Sequence, residues 1–447
     1  MSRSIDRLVK GLEAKAKVVH SHLQFAPKAF VLEFAGTPKS GKSTAVEAIR
    51  HFFSRHNFRV HVLSERAASC PIPMKGHLFF NTWCATSMLA ELLANVETDT
   101  DIIVVDRGIF DALVWLKLQH QRGELTPKEA KTIEGFLLLE RWSSLVDLSI
   151  VMSVSAEKAM KREVGQRITK KPGSIMNPEV LSTITNSVSI AQRQYKKYFK
   201  ELVRIDTSTS GSVRESNTIL ATRISDELEK FLNPKILVVP RMEIEKLPLK
   251  RGGAYSDAAT KAVLNTINKH GRYMHRADAE RDPRVVQIIA AGVLTADDRV
   301  FLFQRKETDP KSKLYGRTTI WQGTHVSKKK GKKGRQLLES ALMDRITRQL
   351  FLSREFAAKL KGYCWDSDDA DSSKHLGILF QIEIDNDHTA NDLRKKEFRK
   401  GRGRGHDLVG QFIGWTELTK KRNDVMLESW SNSVIASLPD FRGGHGH

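Results

Sequence analysis

Residues 30–44, Phe-Val-Leu-Glu-Phe-Ala-Gly-Thr-Pro-Lys-Ser-Gly-Lys-Ser-Thr, constrain the fold of this chain more than any other stretch. They contain the Walker A pattern G-x-x-x-x-G-K-S, which runs from Gly36 through Gly41 and Lys42 to Ser43. The pattern works where a strand feeds a tight loop and the loop opens into a helix. Both flanks meet that demand: an apolar run precedes Gly36 and a helical pattern follows Ser43. The loop Gly36, Thr37, Pro38, Lys39, Ser40, Gly41 can then fold backbone N–H groups around phosphate oxygens, and the helix start adds partial positive charge. In that arrangement Lys42 reaches the β- and γ-phosphates, the Ser43 hydroxyl helps hold Mg²⁺, and Thr44 extends the anion-facing helix start.

The rest of the first half agrees with this placement. Apolar runs at 30–35, 58–64, 101–106, 147–154 and 202–206 alternate with longer helical segments. Buried strands alternating with helices predict an α/β fold, a parallel sheet with helices on both faces. Ahead of it, Ile5, Leu8, Val9, Leu12, Val19 and Leu23 recur at near-helical spacing among lysines and arginines. This reads as an amphipathic helix docked on the first domain rather than on a membrane. The alternation ends near Leu232, where Asn233-Pro234 breaks the last helix.

A chain of 447 residues has room for two or three domains. The expected division is an N-terminal helix at 1–27, the nucleotide-binding domain at 28–232, a connector at 233–284 and another domain at 285–440. The connector carries a short strand at 236–240 and a helix near 256–270. In the last part, runs at 285–295, 299–306, 318–326, 375–384 and 408–418 read as strands around one helix at 336–350, an α+β pattern.

Four segments beyond the loop add chemistry. Glu65-Arg66 follows the second strand. Asp106-Arg107 closes the third, where α/β sheets bind ligands. The fourth strand leads to a basic helix with Arg162, Arg167, Lys170 and Lys171, and residues 202–208 read Leu-Val-Arg-Ile-Asp-Thr-Ser. With the loop, these segments resemble the P-loop kinases of the thymidylate kinase and deoxynucleoside kinase group across residues 28–232. The resemblance implies ATP–Mg²⁺ as phosphoryl donor. It implies that Glu65 deprotonates or orients the acceptor hydroxyl, that Asp106 coordinates Mg²⁺ through water beside Ser43, and that Arg107 holds the acceptor. It makes Arg162, Arg167, Lys170 and Lys171 a lid over the transferring phosphoryl group. Asp111 and Trp115, one turn apart, are candidates for the acceptor pocket. The competing structural readings are a surface ion pair for Glu65-Arg66, a solvated helix face for the lid, and core packing for Trp115. For Phe79, Phe80 and Trp83, core is the favoured reading over base stacking. The segment from Glu65 to Leu93 departs from the base-reading pattern of either kinase group, so the acceptor stays unidentified.

The second half resembles a Nudix fold over residues 285–420, in the order strand, Gln304-Arg305-Lys306 strand, Trp321-x-Gly323 turn, helix, and a late strand ending at Trp415–Leu418. Nudix hydrolases place carboxylates on one helix to hold Mg²⁺ against a diphosphate. The matching positions here read Asp344-Arg345 and Arg348-Gln349. Arginine offers no oxygen ligand. The expectation is a Nudix-like scaffold without hydrolysis, kept for binding or regulation, and surviving activity would need ligands other than Asp344 and Glu339.

The chain carries 73 Lys+Arg against 52 Asp+Glu, a net charge of +21, which points to a polyanionic partner. Two basic runs, 327–335 and 393–406, are candidate nucleic-acid contacts, although they hold one aromatic, Phe398, and no stacking platform. Three cysteines, Cys70, Cys84 and Cys364, form no paired motif. No apolar run is long enough to span a bilayer and no signal segment opens the chain, so a cytoplasmic location is expected. The sequence does not decide between monomer and homo-oligomer. Three functions follow: transfer of the γ-phosphoryl group to a nucleoside, nucleotide or related small acceptor; a nucleotide-driven ATPase switch, as in regulatory or defence proteins, with the second domain as sensor; or a kinase acting on nucleic-acid 5′ ends.

Overall fold

A computed structural model of the chain describes residues 2–23, 28–74, 77–96, 100–166, 176–208, 212–249, 253–255, 258–306, 317–329, 331–350, 356–365, 372–384, 407–420 and 427–437. Arg167, Lys170, Lys171 and the basic run 393–406 lie outside these residues. The chain forms two compact units, one ending at Leu232 and one beginning at Asn233.

The first unit is built on β1 (Phe30–Gly36), β2 (Val60–Leu63), β3 (Ile102–Asp106), β4 (Leu148–Ser153) and β5 (Leu202–Asp206). They form a five-stranded sheet in the order β2-β3-β1-β4-β5, parallel throughout. Every residue of β1, β3 and β4 is buried, as their largely apolar runs require when helices cover both faces. β3 and β4 flank β1 on opposite sides, so the carboxyl ends of β1 and β3 lie together, with Phe34 paired to Asp106 and Gly36 to Met152. This is the position where open α/β sheets bind ligands.

The N-terminal helix, Ser2–Ser21, belongs to this unit. Leu12, Val19 and Leu23 are buried in one cluster with Leu220, Ala221, Ile224 and Leu228 of the helix Val213–Leu232. Burying each such side chain contributes about 1.5–3 kcal/mol, more than an exposed ion pair such as Arg214–Asp6. No helix of the described residues is long and apolar enough to cross a membrane.

The second unit is α+β. Its strands are β6 (Lys235–Pro240), β7 (Gly253–Tyr255), β8 (Arg272–His275), β9 (Val285–Ala296), β10 (Arg299–Lys306), β11 (Thr318–Thr319), β12 (Trp321–His325), β13 (Ala358–Trp365), β14 (His375–Glu383) and β15 (Asp407–Gly414). The central strand is β9, buried along its whole length and paired with β6, β10, β12 and β14. Alternate residues of β9 serve two cores. Val286, Ile288, Ala290 and Leu294 pack with Leu338, Leu342 and Ile346 of the helix Gly334–Leu350. Ile289, Ala291 and Val293 pack on the other face with Trp415, Leu418 and Trp430.

Three sequence expectations change here. The segment 233–284, expected as a connector docked on a neighbour, forms part of the sheet itself, because β6 pairs with both β8 and β9. The run at 318–326 is interrupted at Ile320 and gives β11 and β12. Trp415–Leu418 opens a short helix rather than ending a strand. β13 went unrecognised, since a bulge between Leu360 and Gly362 breaks the period-two pattern that Lys359 and Lys361 begin.

Candidate functional site

The loop with the Walker A pattern leaves β1 at Gly36 and enters the helix Lys42–Arg55 through Gly41, whose φ of 93° is left-handed. β4 holds its far side: Thr37 N donates to Met152 O (3.0 Å), and Val154 N donates to Thr37 Oγ1 (3.1 Å). Lys42 is only 6% exposed, and its Nζ donates to the carbonyl oxygens of Gly36 (2.9 Å) and Thr37 (2.8 Å). Burial, and then the nearby Arg107 cation, lower its pKa to about 7. Arg162 reaches in from the helix Ala156–Gln166 and donates to Lys39 O (2.8 Å), Thr207 Oγ1 (3.1 Å) and Thr207 O (3.0 Å). Lys39 pairs with Glu163 on the same helix (2.8 Å). Ser43 and Thr44 are exposed at the helix start, and the Ser40 hydroxyl is buried with no partner among the described residues.

At the end of β3 the chain turns through Arg107 with φ 67°, a left-handed conformation that costs a bulky non-glycine residue roughly 1–3 kcal/mol. Its backbone N donates to Phe34 O (2.9 Å). Its guanidinium lies between two carboxylates, with Nε 2.7 Å from Glu65 Oε1 and Nη1 3.1 Å from Asp111 Oδ2. Both partners hold the cation, and its pKa is raised above the ordinary arginine value even though burial opposes this. Asp111 also accepts from Gly36 N (3.1 Å) and Trp115 Nε1 (3.1 Å), so one buried carboxylate ties Arg107 to the start of the Gly36–Gly41 loop. Asp111 therefore braces the site, while Trp115 is half-buried against the core. Asp106 is 9% exposed, and its Oδ1 has no hydrogen-bond partner among the described residues. Burial raises its pKa and Arg107 opposes the shift. A buried, unpartnered carboxylate oxygen and a serine hydroxyl are hard oxygen donors, which fit Mg²⁺.

One site residue escaped the sequence reading. Glu33 is fully buried in β1, and its Oε1 accepts from Phe110 N (2.7 Å) and Asp111 N (3.1 Å), at the start of the helix Ile109–Gln121. The legible signal was an acid inside the apolar run Phe-Val-Leu-Glu-Phe-Ala. Burial raises its pKa to about 8, against the pull of those N–H groups. The folded protein thus holds this proton over a range where the unfolded chain has lost it. The resulting stabilisation is complete below the unfolded pKa of 4.5 and is lost as pH rises through about 8. Glu33→Gln copies the protonated form, so its urea midpoint should fall less than that of the wild type between about pH 5 and pH 8. Parallel midpoint profiles would refute the assignment.

Phe79, Phe80 and Trp83 do not form core. Phe79 is 62% exposed, and the other two are half-buried. The helix Leu78–Asn95 turns Ala85, Met88, Leu89 and Leu92 inward, which leaves the aromatic positions off the buried stripe. Arg66 pairs with Glu91, away from the Glu65–Arg107 pair.

In the second unit, the carboxylates on the helix Gly334–Leu350 are paired. Asp344 bonds Lys329, and Glu339 accepts from Arg335 Nε (2.6 Å). In the basic run 327–335, Lys329 and Lys332 also bond Ser340.

The first unit is thus a helix-flanked, five-stranded parallel sheet with a glycine-containing loop after its central strand. No family model matches the chain. Protein YmaB of Bacillus subtilis (strain 168) is 27% identical over 214 residues, 46% of this chain and 98% of that protein. Among solved structures, deoxyadenosine kinase from M. mycoides with bound dCTP has a TM-score of 0.35 and 14% identity, covering 44% of this chain and all (100%) of that one. The same kinase with bound dATP gives 0.35 and 16%, over 44% and 98%. Tm1382, described as a candidate Nudix hydrolase, gives 0.34 and 21%, over 45% and 96%.

Proposed function

We propose that the first unit binds ATP with Mg²⁺ and transfers the γ-phosphoryl group to a small hydroxyl-bearing acceptor, a nucleoside, nucleotide or related molecule. The observation that carries this reading is the strained Arg107, held between Glu65 and Asp111 at the strand end beside the phosphate loop. A carboxylate beside a guanidinium at that station supplies a proton acceptor and a cation, the two groups that an acceptor hydroxyl entering phosphoryl transfer requires.

Lys42 supplies a cation to the β- and γ-phosphate oxygens, and loop N–H groups supply the rest of the cradle. Ser43 and Asp106 would hold Mg²⁺, which when bound neutralises charge on the same oxygens. Arg162 fixes the loop backbone, and Arg167, Lys170 and Lys171 remain the proposed lid cations. Arg107 positions the acceptor. Glu65, about one-third exposed, takes the proton of the acceptor hydroxyl as its oxygen bonds the γ-phosphorus. The bond from the γ-phosphorus to the β-bridging oxygen breaks, and ADP leaves. Glu65→Gln should therefore lower kcat by about 10²–10⁴-fold, with ATP affinity held within roughly twofold because Glu65 does not line the phosphate cradle. Equal losses in affinity and turnover would remove Glu65 from this role.

Lys42 adds a pH signature. With its pKa near 7, much of it is neutral in the free protein at pH 8. A bound phosphate anion favours the charged form, so ATP binding at pH 8 should take up close to one proton. Calorimetry in buffers of different ionisation enthalpy reads this uptake, and Lys42→Met should abolish it. Uptake that persists in the variant would assign the proton elsewhere.

For the second unit we infer binding or regulation rather than hydrolysis, because Asp344 and Glu339 are engaged by cations. Nucleic acid is the proposed ligand class of the basic runs.

A further inference from the structure

Strand register in the second unit brings two histidines together. His375 opens β14 opposite Gln287 of β9, and His325 closes β12 opposite Ile289 of the same strand. Gln287 and Ile289 are two residues apart, so they and their cross-strand partners share one face of the sheet. The imidazole centroids are 5.8 Å apart. The short helix Arg276–Arg281, just before β9, adds Glu280. One ligand atom from each of Glu280, His325 and His375 lies within 4.8 Å of the other two.

Two neighbours complete the arrangement. His325 Nε2 bonds Gln287 Oε1 (2.8 Å), the kind of second contact that fixes tautomer and ring orientation in metal-bound imidazoles. Gln287 itself is fully buried, and its Nε2 has no partner among the described residues. A buried amide donor beside the histidines is suited to a water or anion held at an open metal position. Arg276, one turn before Glu280, lies 3.7 Å from Glu280 Oε1, so a metal ion must share that carboxylate with a guanidinium.

We propose that Glu280, His325 and His375 bind a Zn²⁺ ion through two imidazole nitrogens and one carboxylate oxygen, with a fourth position open to solvent or substrate. Two nitrogens and one oxygen suit zinc, whereas Mg²⁺ prefers oxygen alone. Zinc at about 2.0–2.2 Å from each ligand sets ligand atoms about 3.4 Å apart, a spacing that side-chain rotation within the 4.8 Å triad can reach. The site is separate from the helix Gly334–Leu350. That helix packs on the Val286–Ile288–Ala290 face of β9, and the histidines belong to the opposite face.

The test is titration of the metal-stripped full chain with Zn²⁺ against a chromophoric chelator. About one ion per chain is expected, with affinity lower by about 10–100-fold or more in His325→Ala and in His375→Ala and less affected in Glu280→Gln. The tail histidines His445 and His447 could bind zinc independently, so a chain with both changed to alanine serves as control and should keep the site. Binding that survives both strand-histidine variants, or that disappears with the tail histidines, overturns the proposal. If an alanine variant fails to fold, Co²⁺ in the wild-type chain decides: intense absorption of a four-coordinate ion supports the site, and the weak absorption of a six-coordinate ion rejects it.

Discussion

Lys42→Ala should lower phosphoryl transfer by about 10³-fold with little change in stability. The side chain is buried in the loop, and its Nζ donates to the Gly36 and Thr37 carbonyls beside the proposed phosphate cradle. Loss of those bonds costs roughly 1–3 kcal/mol. Much of that is returned, because the folded protein no longer holds a buried ammonium whose pKa is pushed to about 7. Activity loss and stability loss therefore separate. Product formation under saturating ATP and a urea melt on the same preparation measure both. A variant that keeps full transfer removes Lys42 from the mechanism. A variant that unfolds shows that the loop carbonyls, rather than the phosphates, are what this cation serves.

The second large effect belongs to the backbone at Gly36. Its φ is 128°, and an added Cβ would lie 1.9 Å from the Met152 carbonyl oxygen and 2.8 Å from Met152 C and N. Those are main-chain atoms in the adjacent strand, so they cannot swing aside as a side chain would. Gly36→Ala must force β1 and β4 apart at the Gly36–Met152 pair and strain the Thr37 N to Met152 O bond. A cost of about 3 kcal/mol or more is expected, with ATP binding lost. Gly41→Ala provides the comparison. Its Cβ would meet only the Met152 Cε, at 4.0 Å, so its cost is the left-handed backbone alone, about 1 kcal/mol. Equal shifts in denaturation midpoint for the two variants would contradict this account of the loop.

How far the sequence could be read depended on the kind of physics involved. The parallel sheet was legible because β1, β3 and β4 are buried on both faces and read as continuous apolar runs. The strand–loop–helix course of residues 30–55 was legible because its glycine spacing answers a backbone requirement, with Gly36 and Gly41 both at positive φ. The bracing of the site was not. Asp111 looked like a pocket residue, and only the fold shows its carboxylate joining Gly36 N, Arg107 and Trp115. The partners of Glu33, Thr207 and Glu163 lie at long sequence separations that no local pattern encodes. The second unit was read less well for the same reason. Its sheet draws β6 and β8 from a segment that looked like a connector, and β13 carries a bulge that hides its alternation. The triad of Glu280, His325 and His375 depends on the register of three strands and a short helix, and none of its members is near another in sequence.

The central claim is that the first unit moves a phosphoryl group onto an acceptor. Incubating the full chain with γ-labelled ATP, Mg²⁺ and a panel of nucleosides, nucleotides and 5′-hydroxyl oligonucleotides tests it most directly. Label is expected on a nucleoside or nucleotide, lost in Lys42→Ala and strongly reduced in Glu65→Gln. Label appearing only as free phosphate, whatever acceptor is supplied, would contradict it and make this unit a nucleotide-driven switch.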